Sequence, residues 1–155
     1  MLTVYVGWDS REPEAFDVCK FSILEHASIP VSVIPLKRRD LIDRMLYWRE
    51  EDSRDSTEFT ITRFMVPWLN GYQGKAIFCD CDFLFETDIK DLVDQFDKTK
   101  AVQVVKHDYA PKEKTKFLGH EQHMYPKKNW SSMIMWNCDH ESNRRVSLEV
   151  INSKD

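Results

Sequence analysis

The chain has 155 residues, of which 42% are hydrophobic and 31% charged, so it can bury one core and is unlike a disordered protein. Its net charge of −4 gives no electrostatic reason to expect nucleic-acid binding. The sequence shows no apolar run long enough for a membrane span, no basic leader, and no zinc-ligand spacing of its four cysteines beyond one C-x-C. These features predict a single cytoplasmic domain with reduced thiols.

Patterns typical of strands and helices alternate along the chain, which predicts an α/β fold with a mostly parallel central sheet. The first predicted strand, helix and strand form a β-α-β unit, whose two strands should be parallel. The predicted strands cover 2–7, 31–36, 75–79, 101–105 and 130–136, and the predicted helices cover 13–27, part of 37–57, 58–69, 88–96 and 144–151.

Proline, glycine and charge mark the connections between these elements. Pro13 stands where the first turn of a helix tolerates proline, whereas Pro67 should kink or end its helix, which Asn70-Gly71 closes. Residues 49–57 combine dense charge with few apolar side chains. We therefore predict that 49–57 is a lid that is poorly ordered without ligand.

The most informative motif is Asp80-Cys81-Asp82, which follows the apolar run 75–79. Side chains alternate across a strand, so the two acids are expected on one face and Cys79 and Cys81 on the other. Because 83–85 is again apolar, the acids interrupt a buried segment, and burying like charges is costly unless a cation compensates. Two carboxylates suit Mg²⁺ or Mn²⁺. A polar turn with solvated acids is the alternative.

Other candidate residues lie where ligands usually bind in open α/β sheets, at the carboxyl ends of strands. Asp9 follows the first strand there, so it and the acid pair are predicted to line one crevice, although Asp9 also suits a helix cap. Trp8 could stack on a base or belong to the core. Arg63, on a largely apolar helix, needs an anionic partner, which could be Glu58, Asp82 or a phosphate.

In combination, these features resemble the GT-A glycosyltransferases, especially family 8 and its small relatives in bacteria and phages. The resemblance rests on a first strand ending in Gly7-Trp8-Asp9, a helix bearing Arg63, and a hydrophobic strand that runs into 80–82. Residues 128–137 are also similar to the later strand whose leading loop lies beside the transferred sugar. The match covers most of the chain in order.

The resemblance implies a role for each matching residue. Asp80 and Asp82 would bind Mn²⁺ or Mg²⁺ that bridges the diphosphate of a nucleotide sugar, the first loop would hold the nucleoside, and Arg63 would reach the donor. The donor-side candidates are Trp8, Asp9, Ser10, Arg63, Asp80, Cys81, Asp82, Ser131 and Ser132. Polar groups that flank the last apolar strand suit sugar hydroxyls, although loop polarity also explains them; these acceptor-side candidates are Gln122, Tyr125, Asn129 and Trp130.

The implied function is metal-dependent transfer of a hexose from a UDP-sugar to an acceptor, with retention of configuration. The expected domain is 1–155, with a nucleotide-binding part at 1–100 and a sugar and acceptor part at 101–155. The family has a C-terminal motif with a third, histidine metal ligand and a diphosphate-contacting lysine, and this sequence lacks that motif. A C-terminally short domain with weak turnover is therefore expected, unless a second copy in a homo-oligomer supplies these groups.

Two other functions fit part of the pattern. A nucleotide-sugar-binding module without activity would explain the missing histidine motif. A phosphohydrolase of the haloacid dehalogenase type would use Asp80 as its nucleophile, but that pattern expects Thr or Val where Leu84 stands.

Overall fold

The computed structural model describes residues 1–53, 55–106 and 130–153, and it confirms an α/β fold. The described strands form one sheet in the order β2-β1-β3-β5-β4. Strand β5 is antiparallel to both its neighbours, and the other four strands share one direction, so the sheet is mostly parallel as predicted. The strands are β1 Leu2–Gly7, β2 Val31–Leu36, β3 Lys75–Cys79, β4 Val102–Val104 and β5 Met133–Asn137.

The helices are mostly short. Pro13 occupies the first position of the longest, as expected from its fixed φ and missing N–H. The described helices are α1 Pro13–His26, α2 Arg38–Asp43, α3 Val66–Leu69, α4 Lys90–Asp94 and α5 Leu148–Asn152. None of them has the length and apolar character that crossing a bilayer requires.

The predicted helix over 58–69 is wrong in its extent. A 3₁₀ turn, Thr62–Met65, leads directly into α3, and Pro67 is the second residue of that helix. Proline has no N–H to donate and is tolerated only near the start of a helix, so α3 begins just ahead of it. The expected closure is confirmed, because Asn70 caps α3 and Gly71 has a φ of 64°.

Several other boundaries differ from the expectation, and two of them have a clear local cause. Strand β5 begins at Met133 and not at 130, because Trp130–Ser132 forms a 3₁₀ turn. The predicted helix 144–151 is divided into a 3₁₀ turn, Glu141–Arg145, and α5. Ser147 makes that division, because its hydroxyl accepts a hydrogen bond from Val150 N and so caps α5.

The centre of the sheet carries the core, and its carboxyl edge is closed by an aromatic side chain. Val4, Val6, Phe78 and Cys79 of β1 and β3 are fully buried. At the end of β1, Gly7 leaves room for the ring of Phe59, since a Cβ on Gly7 would lie 2.6 Å from Phe59 Cγ. The Phe59 and Phe78 ring centres are 6.2 Å apart in a tilted arrangement. The glycine therefore lets the segment before α3 pack directly on the sheet.

Replacing this glycine should strain the packing. We expect Gly7→Ala to lower the free energy of unfolding by about 1–3 kcal/mol, because the Phe59 ring is 2% exposed and has little room to move. Urea unfolding measures this loss. The loss should shrink when Gly7→Ala is combined with Phe59→Leu, since the two residues share one contact. An equal loss in both backgrounds would show that this contact is not the cause.

Candidate functional site

The sequence-predicted residues meet at one edge of the sheet. Strands β1 and β3 are parallel neighbours, with Val6 opposite Cys79, so the loops that follow them leave the sheet side by side. Cys79 is also opposite Met133, the first residue of antiparallel β5. The turn Trp130–Ser132 therefore arrives at the edge from which the acid pair departs. Such an edge is the usual ligand position in open α/β sheets.

The two acids of the D-x-D motif lie in the turn after β3 and differ in exposure. Strand β3 ends at Cys79, so strand alternation does not set the directions of the acid side chains. The Asp80 side chain is 22% exposed, whereas Asp82 is exposed to solvent. Asp80 N donates a 2.9 Å hydrogen bond to Ser132 O, which fixes the start of the turn. Cys79 and Cys81 are both buried, as their predicted packing requires.

Asp80 is held in an environment that resists its ionisation. Arg63 Nη1 lies 2.9 Å from Asp80 Oδ1, but this buried oxygen accepts no hydrogen bond of good angle from the described part of the chain. Burial is the main cause that raises the pKa of Asp80 to about 7; the Arg63 charge opposes it, and the charges of Asp82 and Glu12 add to it. A cation beside Asp80 would relieve this cost.

Arg63 is buried between aromatic rings and is bound on several sides. Its guanidinium carbon lies 5.3 Å from the centre of the Phe59 ring and 5.0 Å from that of Phe78. Nε donates to Phe59 O at 3.2 Å, and Nη1 donates to Ser131 O at 2.8 Å. The sequence left Glu58, Asp82 or a phosphate as the anionic partner of Arg63. Neither Glu58 nor Asp82 forms an ion pair with it, and Asp80 is the partner instead.

Asp9 is also buried at this edge, but its carboxylate is fully engaged within the chain. It accepts hydrogen bonds from Arg11 Nε at 2.7 Å, Arg11 Nη2 at 2.5 Å, Arg11 N at 3.1 Å and Glu58 N at 3.1 Å. The hydrogen bond from the Arg11 side chain is the main cause that lowers the pKa of Asp9 to about 2. Arg11, which is 38% exposed, covers the carboxylate from solvent. Asp9 therefore fixes the loop after β1.

The remaining residues of the first loop are more accessible. Ser10 is exposed, and both its N–H and its hydroxyl donate to Glu58 Oε1, which the sequence had offered as a partner for Arg63. Trp8 is half-buried, and Lys37 Nζ lies 4.5 Å from the centre of its ring. One face of Trp8 is thus covered by a cation, so a base could stack only on the other face or after Lys37 moves.

Sequence reasoning missed Glu12. Cys81 Sγ donates to Glu12 Oε1 over 3.6 Å, and the charge of Glu12 contributes to the raised pKa of Asp80. The signal was its position three residues after Asp9 on the same edge, although no motif marks it.

Within 1–53, 55–106 and 130–153, no group of three or more His, Cys, Asp or Glu side chains is arranged to hold a metal ion. Asp80 and Asp82 stay the ligands predicted from the sequence, because their carboxylate chemistry suits Mg²⁺ or Mn²⁺.

The acceptor-side candidates are only partly described. Gln122, Tyr125 and Asn129 lie outside the described residues. Trp130 is half-buried, and Lys106 Nζ lies 5.7 Å from the centre of its ring.

The predicted lid at 49–57 has defined contacts at both ends: Arg49 N donates to Asn152 Oδ1 at 3.0 Å, and Ser56 O accepts from Arg11 Nη2 at 2.8 Å. The order of this segment without ligand stays a prediction.

Comparisons with known proteins support the fold. No family model matches the chain. It is 48% identical over 151 residues to Protein CDI of Arabidopsis thaliana, an alignment that covers 97% of this chain and 58% of that protein. The chain thus spans somewhat more than half the length of this curated relative.

Two solved structures share the fold at low sequence identity. The apo structure of the bifunctional glycosyltransferase WbbM has a TM-score of 0.65 and 15% identity, with 97% of this chain and 34% of that chain covered. The glycosyltransferase GlyE of Streptococcus pneumoniae TIGR4 has a TM-score of 0.57 and 12% identity, with 96% and 37% covered. The fold of this chain is therefore that of glycosyltransferases.

The pKa of Asp80 can be measured directly. In metal-free protein we expect its side-chain carboxyl carbon to titrate near pH 7 by NMR, because burial disfavours the charged form. The folded-state pKa is raised, so this group's contribution to stability is full in acid and declines as the pH rises from about 4 to 7. Asp9, whose pKa is lowered to about 2, serves as the internal reference. An Asp80 midpoint at or below pH 4 would contradict the described environment.

The Asp9 contacts give a stability prediction of opposite sign. We expect Asp9→Asn to lower the free energy of unfolding at pH 7 by about 2 kcal/mol, because a pKa near 2 means that folding favours the ionised form. Since this contribution is present above about pH 4 and lost as the pH falls toward 2, the deficit should shrink at pH 3. Urea unfolding at the two pH values measures it. Asp17→Asn, at an exposed position of α1, is the control. If Asp9→Asn lowers the free energy of unfolding at pH 7 by no more than Asp17→Asn does, the stabilising role assigned to the Asp9 carboxylate is wrong.

Proposed function

We propose that this chain is a metal-dependent glycosyltransferase domain that transfers a hexose from a UDP-sugar to an acceptor with retention of configuration. The observation that carries the proposal is the half-buried carboxylate of Asp80, which lies beside Arg63 and two residues before the exposed Asp82 at the ligand edge of a glycosyltransferase fold. A half-buried acid with a pKa raised to about 7 is poised to accept a cation, because cation binding offsets the cost of its ionisation.

In this proposal each segment of the edge has a separate task. Asp80 and Asp82 would hold Mn²⁺ or Mg²⁺, which would supply positive charge to offset that of a leaving diphosphate. The accessible side of Trp8 and the exposed Ser10 meet the nucleoside, while Asp9 keeps their loop in place. Arg63 keeps Asp80 oriented toward the edge.

The same geometry supports the proposed division of the chain. Residues 1–100 supply the first loop and the acid pair, and therefore the nucleotide side of the site. Residues 101–155 supply the turn Trp130–Ser132, which reaches the acids from the other side through β5. The sugar and the acceptor would then lie between these two parts.

A nucleotide-sugar-binding module without turnover is the second candidate. It is favoured by one observation: the described residues offer the acid pair but no third metal-ligating side chain arranged with it. The phosphohydrolase interpretation gains no such support.

The decisive binding experiment removes one charge from the acid pair. Calorimetric titration with UDP and Mn²⁺ should show that Asp82→Asn weakens metal-dependent binding at least tenfold, about 1.4 kcal/mol, because one ligand charge is lost while the shape is kept. Glu86→Gln is the matched control, since it removes an exposed acid four residues further along the chain.

The outcomes separate the candidates. UDP binding that needs Mn²⁺, together with release of hexose from UDP-hexose, supports the transferase; binding without release supports the module. If Asp82→Asn binds UDP and Mn²⁺ as tightly as Glu86→Gln does, the metal assignment is wrong.

A further inference from the structure

Arg63 joins three segments that are far apart in the sequence. Its side chain contacts the carboxylate of Asp80 after β3, the carbonyl of Ser131 before β5, and the carbonyl of Phe59 before α3. The same atom, Nη1, makes the first two contacts, at 2.9 and 2.8 Å. The acid of the donor side and the turn of the sugar side are thus bound to one nitrogen.

The guanidinium group of Arg63 has little freedom to adopt another orientation. Arg63 is 7% exposed, and its guanidinium lies near the rings of Phe59 and Phe78. The bond from Nε to Phe59 O sets the orientation of the planar group, so Nη1 is directed at Asp80 and Ser131 together. Arginine suits this task because its donors are held in a rigid fork.

We propose that Arg63 is a positioning residue that couples the charge on Asp80 to the conformation of the turn Trp130–Ser132. This inference rests on the proposed function, because it takes Asp80 as the donor-side acid and the turn as part of the sugar side. When the charge of Asp80 is removed, Nη1 loses its ionic partner, and its position relative to Asp80 and Ser131 changes. The turn then changes with it, so the two sides of the site respond together.

A second contact places the turn directly beside the same acid. Asp80 N donates to Ser132 O at 2.9 Å, so the backbone of the acid already holds the end of the turn. Arg63 adds the side-chain link one residue earlier, at Ser131 O. A direct contact of Arg63 with the donor diphosphate is the competing role, and the enclosed position of its head favours positioning instead.

The test is a double-mutant cycle with a spectroscopic readout that needs no ligand. Amide NMR shifts of Ser131 and Ser132 are compared in the wild type, Asp80→Asn, Arg63→Met and the double variant. Asp80→Asn should move both amides in the wild-type background and move them less than half as far in the Arg63→Met background. Glu86→Gln is the control, because it removes an exposed carboxylate that forms no ion pair with Arg63, and it should leave the turn amides nearly unmoved.

Equal shifts in both backgrounds, or no shift in the wild-type background, would overturn the coupling. If Arg63→Met does not fold, Arg63→Lys replaces it; the single ammonium of lysine lacks the second donor that orients the head, so the same reduction is expected. Because the cycle uses neither metal nor nucleotide, its failure is distinguishable from a failure of UDP binding. Lost UDP binding with an intact cycle would refute the proposed function and leave the coupling in place.

Discussion

The buried contact between Arg63 and Asp80 is the interaction on which the rest of this edge depends. It joins the segment before α3 to the end of β3, and through Ser131 it also reaches the start of β5. Removing one partner of a buried ion pair typically costs about 3–5 kcal/mol, because the remaining charge is left without compensation. This edge is where ligands usually bind in open α/β sheets, so the fold places a half-buried acid and a buried arginine at that position.

Two aspartates at the same edge are driven in opposite directions by their surroundings. Asp9 receives hydrogen bonds from Arg11 and from the Glu58 backbone, so its pKa falls to about 2 and it stays ionised as a structural group. Asp80 has one ionic contact of poor hydrogen-bond angle, is largely buried, and lies near other acids, so its pKa rises to about 7. The difference separates a residue that fixes a loop from one that can respond to a cation.

Local patterns in the sequence predicted much of the fold. The strands at 2–7, 31–36 and 75–79 were predicted because each is a short apolar run bounded by turn residues. The single helix over 58–69 was wrong, because the proline that was expected to kink or end this helix lies instead at the second position of α3. The reversal of β5 could not be read from its residues, because strand direction depends on the path of the chain around it.

The acids of the candidate site were found by their motif, but their partners were not. Which of several acids pairs with Arg63, and which group engages Asp9, depend on contacts between distant segments. Glu12 was missed for the same reason, because only the fold brings it near Asp80. Sequence therefore indicated the chemistry of the edge, while the structure was needed to assign each charge a partner.

The proposed function requires this edge to bind a divalent cation and a nucleotide through Asp80 and Asp82. The most direct measurement is an anomalous difference map from crystals grown with Mn²⁺ and UDP. We expect a manganese peak about 2–2.5 Å from oxygens of both carboxylates, with the diphosphate on its open side. A manganese peak away from these two residues, or UDP bound at another edge of the sheet, would contradict it.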